Sequence, residues 1–148
     1  FMYACVGSYL ARVWRIFEFR FDRFPPLWIQ GLLALAVYVN FFTHHFIADI
    51  RLALFVATVV IYGPCVIWFR PDLEHRPMPL VIGLLLVALF IWFAENAGTF
   101  ARAWTYPGQE AGWRMVSIHK LGAWYLLMII SFVLVAFVHA PRDRKRGS

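Results

Sequence analysis

Glu95 and Asn96 interrupt an apolar run in which residues 80–101 carry no other charge. On a helix rising about 1.5 Å per residue, Glu95 lies roughly 22 Å into a hydrocarbon layer about 30 Å thick. A carboxylate at that depth is costly unless it is neutralised, paired or hydrated, so such groups usually face a bundle interior or a cavity. His45 and Asp49 are four residues apart and share a face if their helix continues that far. The carboxylate would then orient the imidazole or join it on a metal. His119 and Lys120 open a further apolar stretch. Two chemistries suit these residues. In one, His45, Asp49, Glu95 and His119 form a nitrogen and oxygen ligand set for a divalent metal such as zinc or iron, although no His-Glu-x-x-His motif is present. In the other, Glu95 is a buried general acid that works with His45 or His119 on a lipid-soluble substrate.

The elements that must position these groups are membrane segments. The chain has 148 residues, 62% hydrophobic and 15% charged, against about 25% charged in a soluble domain. Long apolar stretches predict an all-α, polytopic membrane helical bundle of about five segments, at 1–16, 27–47, 52–69, 80–103 and 120–139, in one domain with a basic tail at 141–148. The first apolar run reaches only to Arg12 and begins without Met. It is expected to be the end of a helix in a longer protein, whose N-terminal helices would then be partners of this bundle.

Residues 17–26 alternate aromatic and charged side chains, which suits a segment lying in the headgroup region with its rings toward lipid. Gly63-Pro64 is expected to kink the third segment. Residues 70–79, with three prolines, form a compact loop. The longest connection covers residues 106–120. Cys5 and Cys65 show no Cys-x-x-Cys spacing and read as two buried thiols.

If the segments alternate in direction, Arg12, Arg15, Arg20, Arg23, Arg70, Arg76 and the basic tail fall on one side. Arg51, Arg102, Arg114 and Lys120 fall on the other. Short loops rich in Lys and Arg stay in the cytoplasm, so the C-terminus is expected there. This bias accounts for most of the net charge of +6, and no basic surface is left over for nucleic acid. It also brings the unusual polar residues to the external end of three helices: Asn40, Thr43, His44, His45 and Asp49, then Glu95, Asn96, Thr99 and Arg102, then Ser117, His119 and Lys120. They predict an outward-facing pocket with Asn40, Asn96, Arg102, Trp104 and Tyr106 around the substrate. His75 and His139 lie at the other end and read as bystanders.

The leading function is therefore a membrane-embedded enzyme for a lipidic or isoprenoid substrate. Glu95 is its acid or ligand, His45 (oriented by Asp49) its base or ligand, and His119 a second one. A transporter or proton or ion pathway is the alternative, but residues 80–94 are wholly apolar and offer no through-path. A third reading is a non-catalytic membrane subunit in which Glu95 and Arg102 form a structural pair.

Several motifs carry a resemblance: Glu95-Asn96-Ala97-Gly98-Thr99-Phe100, Ala103-Trp104-Thr105-Tyr106-Pro107, Gly112-Trp113, and the run from Lys120 to Leu127. Gly7-Ser8-Tyr9 with Arg12, and His44-His45 to Asp49 and Arg51, extend it. Together they resemble a family of bacterial integral membrane proteins, "domain of unknown function 817", of whose members this chain matches the C-terminal part. The resemblance implies a multi-pass protein of the bacterial inner membrane and supplies no activity. Glu95, Trp104, Tyr106 and Pro107 are also faintly similar to membrane lycopene cyclases and carotenoid hydratases. The paired glutamates of those enzymes are absent here, with His119-Lys120 near their place.

Overall fold

A computed structural model describes every residue except 1, 44, 47, 48, 147 and 148, and the backbone alone of residues 2, 3 and 140–146. In order, the elements are α1 (Met2–Ile16), β1 (Arg20–Asp22), α2 (Leu27–Thr43), α3 (Arg51–Tyr62), β2 (Val66–Phe69), β3 (Arg76–Pro79), α4 (Leu80–Phe100) and α5 (Ile118–Arg146). The chain is mostly helical, but the all-α expectation is corrected by a three-stranded antiparallel sheet in the order β1-β2-β3.

The sheet exists because the third apolar segment does not stay helical to residue 69. Gly63 takes the C-cap of α3, and Pro64 has no N–H to continue the ladder. The helix therefore stops where a kink was expected. Cys65 N–H turns back to Tyr62 O at 3.0 Å. Val66-Ile67-Trp68-Phe69, a β-branched and aromatic run, then enters the centre of the sheet. Phe21 pairs with Ile67, which pairs with Met78 on its other side. Pro77 and Pro79 lie on the edge strand β3, where a missing donor is tolerated. Leu80 N–H, the first of α4, donates to Cys65 O at 3.0 Å, tying the helix start to the strand.

The rings of residues 17–26 face inward, contrary to the lipid-facing expectation. Phe19, Phe21 and Phe24 pack against the core. The Phe21 ring lies 4.9 Å from Trp14 and 4.8 Å from Phe24, and Trp14 lies 5.7 Å from Phe132. The strand pairing alternates side chains across the sheet, so the charges of Arg20 and Asp22 point out while Phe21 points in. Asp22 Oδ2 accepts from Trp68 Nε1 at 2.6 Å.

Helix α5 is the centre of the bundle, packing on α1, α2 and α4 through Met128, Ile129, Phe132, Val133 and Ala136. Two helical stretches, Leu80–Phe100 and Ile118–His139, are long and apolar enough to cross a membrane; α2 and α3 are shorter apolar helices. Large apolar side chains also cover the outside, with Leu52 77%, Phe90 72% and Trp28 66% exposed. Because β1 lies between α1 and α2, and β2-β3 between α3 and α4, the sheet gathers both connections at one end. The α2–α3 turn and the connection 101–117 occupy the other. Cys65 is buried, as expected; Cys5 is exposed instead. Burial pushes the Cys65 thiol up to about 11, with the Asp22 charge adding to the effect.

Inside the apolar bundle, Tyr62 Oη donates to Gln30 Oε1 at 3.1 Å, and Gln30 Nε2 donates to Pro25 O at 2.6 Å. Gln30 and Tyr62 are both fully buried, so Tyr62→Phe leaves an acceptor without its donor. The expected cost is about 1 kcal/mol, read as a lower thermal midpoint in mild detergent. Tyr9→Phe on the exposed surface should leave that midpoint unchanged.

Candidate functional site

After fifteen apolar residues, α4 ends in a polar turn. Glu95 and Thr99, at i and i+4, share the face turned toward α5, and both are 2% exposed. The Glu95 carboxylate is held from two elements. Its Oε1 accepts from the Tyr106 hydroxyl, in the connection, at 2.6 Å. Its Oε2 accepts from Trp124 Nε1, on α5, at 2.7 Å. Lys120, one turn before Trp124, sits with Nζ 2.9 Å from the centroid of the Tyr106 ring and interacts electrostatically with Glu95. The buried carboxyl group thus meets two short hydrogen bonds and a nearby cation, the conditions under which burial of a polar group is tolerated.

The neighbouring residues sew the connection to the same helix end. Asn96 Nδ2 donates to Trp92 O at 2.9 Å, and its Oδ1 accepts from Val116 N–H at 2.9 Å. Trp92 Nε1 donates to Val116 O at 3.2 Å. Trp113 Nε1 donates to Thr99 Oγ1 at 3.1 Å, and that hydroxyl donates back to Glu95 O at 2.9 Å. Ala103 N–H reaches Gly98 O at 2.9 Å and Arg102 N–H reaches Thr99 O at 3.1 Å, the double bond of a Schellman stop. Arg102 takes the left-handed position of that stop, at φ 56°. Gly98 has no side chain because the Trp104 indole lies where a Cβ would be.

The predicted residues therefore divide. Glu95, Asn96, Trp104 and Tyr106 gather at the α4 end. Arg102 is exposed and serves the helix stop, and no ion pair between Glu95 and Arg102 is found among the described residues. His119 is exposed on the first turn of α5, its backbone N–H on Ser117 Oγ at 3.2 Å. Helix α2 ends at Thr43, so His45 and Asp49 do not share a helix face. His45 is exposed in the turn, and His44 lies outside the described residues. Asp49 instead caps the turn: it accepts from Arg51 N–H at 3.0 Å, Arg51 Nε at 2.8 Å and Asn40 Nδ2 at 3.4 Å. Asn40 Oδ1 accepts from Ile50 N–H at 3.2 Å. Among the described residues no three His, Cys, Asp or Glu converge on a common point, so His45, Asp49, Glu95 and His119 are not brought together as a metal set.

Sequence reasoning underrated the indoles. By position in the sequence Trp113 and Trp124 suit an interfacial aromatic belt and Trp92 is one more apolar residue of its segment, yet each donates into this site. A buried indole N–H requires an acceptor, and the i, i+4 spacing of Trp92 to Asn96 and of Lys120 to Trp124 is the signal that pointed there.

Fold and site together define a helical protein with two membrane-length apolar helices and a buried carboxylate sealed at one end. The chain belongs to the family described as "Protein of unknown function (DUF817)", whose profile matches residues 1–132. It is 40% identical over 144 residues to "Uncharacterized protein YoaT" of Bacillus subtilis (strain 168), a match covering 97% of this chain and 54% of that protein. The chain thus spans about half the length of the curated relative it matches. No solved structure matches, and the looser likeness to lycopene cyclases is not shown by these matches.

Two tests follow from the geometry. Arg102→Gly removes the left-handed strain of a side-chain-bearing residue and should raise stability by up to about 1 kcal/mol, measured as a higher unfolding midpoint; a fall would mean that the Arg102 side chain is itself needed. The Arg51 backbone N–H, then Asn40 and the Arg51 guanidinium, hold the Asp49 carboxyl below its ordinary 3.8. Its contribution to stability is present above that value and lost as pH falls through the lowered one. Asp49→Asn should flatten this acid limb in melts recorded by circular dichroism, and an unchanged limb would place the titration elsewhere.

Proposed function

We propose that this protein is a multi-pass protein of the bacterial inner membrane in which Glu95 and Tyr106 form an acid–base couple acting on a lipid-soluble substrate. The apolar exterior supports the membrane reading, since water-facing surfaces rarely carry so many large exposed apolar side chains. Arg20, Arg23, Arg70 and Arg76 belong to the sheet end and are all exposed. That bias supports a cytoplasmic sheet end and C-terminus, with Glu95 near the external face.

The observation that carries the chemistry is the 2.6 Å hydrogen bond between the buried Glu95 Oε1 and the half-buried Tyr106 hydroxyl. Trp124 can only donate, so it fixes Oε2 as an acceptor and orients the carboxylate. Tyr106 can donate or accept. Its oxygen can take a proton from a substrate while its own hydroxyl proton passes to Glu95 Oε1. Glu95 Oε1 then returns its proton to the Tyr106 oxygen as Tyr106 delivers one to a different atom of the substrate, so the product is an isomer, no proton is gained or lost overall and the pair is restored. Lys120 over the Tyr106 ring stabilises the negative charge that moves between them.

The test is the lipid-soluble fraction of bacteria expressing the protein, Glu95→Gln or Tyr106→Phe at matched membrane abundance. A compound formed or consumed with the unaltered protein should change about a hundredfold less with either variant. Identical extracts from all three strains would sink the acid–base reading.

A further inference from the structure

The walls around Glu95 are of two kinds. On one flank of α4, Thr99 is bonded to the Trp113 indole, and Asn96 and Trp92 are bonded to Val116. In front, Tyr106 and Trp124 hold the carboxyl group itself. The other flank is covered by the Trp104 indole, seated on Gly98. Gly98 lies about 60° round the helix from Glu95, and Ala94 about 40° farther in the same direction. Ala94 is exposed, so Trp104 covers the seam between Glu95 and the outer surface.

Trp104 differs from the other indoles of the site. Trp92, Trp113 and Trp124 each donate their N–H to a partner, whereas Trp104 has no hydrogen bond or ring contact among the described residues. It is 42% exposed. Packing seats it: its six-membered ring rests in a notch that exists because Gly98 has no Cβ. The backbone on either side is pinned, by Ala103 N–H on Gly98 O at 2.9 Å and by Tyr106 N–H on Gln109 Oε1 at 3.1 Å. The movement left to Trp104 is rotation of its side chain between rotamers, and that rotation breaks no hydrogen bond. An indole turned outward leaves a slot one ring thick, floored by the bare backbone at Gly98, with Glu95 on its inner side. Glu95 is 2% exposed and the Tyr106 oxygen lies 2.6 Å from it, so a wall must move before a substrate reaches the pair.

We propose that Trp104 is the gate of this site: its indole turns off Gly98, and a planar, unsaturated group of the substrate takes its place in the slot beside Glu95. The proposal rests on the acid–base reading of Glu95 and Tyr106 given above, and it narrows the substrate to lipids that carry such a group.

The test is the rate at which dicyclohexylcarbodiimide labels Glu95 in the detergent-solubilised protein, read by peptide mass spectrometry. This apolar reagent adds to a carboxyl group and ends as a stable N-acylurea. A gate that opens as a minor state is open up to about 10% of the time, so Trp104→Ala should label at least about tenfold faster. Gly98→Ala, whose methyl group displaces the indole without deleting it, should also label faster. Trp113→Phe, which loses the bond to Thr99 on the opposite flank, should label at the rate of the unaltered protein. Anthracene should slow labelling of the unaltered protein, and its fully hydrogenated, non-planar counterpart should not. A rate unchanged by Trp104→Ala and Gly98→Ala overturns the gate. So does an equal gain in Trp113→Phe, which would mean general loosening. Protection by both hydrocarbons, or by neither, overturns the planar slot. Identical lipid extracts from the Glu95→Gln strain defeat the acid–base reading whatever the labelling shows, so the two failures are told apart.

Discussion

A carboxylate buried at the end of an apolar helix has few tolerable surroundings, and the end of the molecule where α4 stops is arranged around that constraint. Glu95 needs acceptor sites filled on both oxygens and a cation within reach. Tyr106, Trp124 and Lys120 supply them. Because Tyr106 belongs to the connection and Trp124 to α5, satisfying one carboxyl group fixes three parts of the chain at once. Asn96, Thr99 and the remaining indoles then close the backbone and side-chain donors that this arrangement leaves buried. Removing any one donor leaves a group that has already lost its water, which is why such networks are costly to break.

The two ends of the bundle solve different problems. At the sheet end the chain must reverse twice, and backbone pairing between the α1–α2 and α3–α4 connections joins the two reversals. The rings of Phe19, Phe21 and Phe24 fill the space below the sheet, and the arginines remain outside. At the Glu95 end there is no sheet, and side chains do the closing. Arg102 in a left-handed conformation shows the local strain this tolerates.

Much of the fold was legible because apolar length is a strong signal: α4 was read close to its observed bounds and α5 at its start, although α5 runs on to Arg146 through most of the stretch read as a tail, and Glu95 stood out by its depth. The third segment misled because Val-Ile-Trp-Phe is as apolar as a helix continuation, and only Pro64 marks the change. The loop 17–26 misled because alternating rings and charges suit a membrane surface and a strand equally well. At the site, Glu95 and Tyr106 were named from the sequence, but their pairing was not, since eleven residues and a helix stop separate them. His45 and Asp49 were read on one face because nothing apolar or proline-like announces that α2 ends at Thr43.

The central claim is that the Glu95 carboxylate and the Trp124 indole hold each other across α4 and α5. A double-mutant cycle with Glu95→Gln, Trp124→Phe and the pair, read as unfolding free energies in mild detergent, tests it most directly. The account predicts a coupling of about 1–3 kcal/mol. Effects that add within about 0.5 kcal/mol would contradict it and leave the buried carboxylate without the partner on which this description depends.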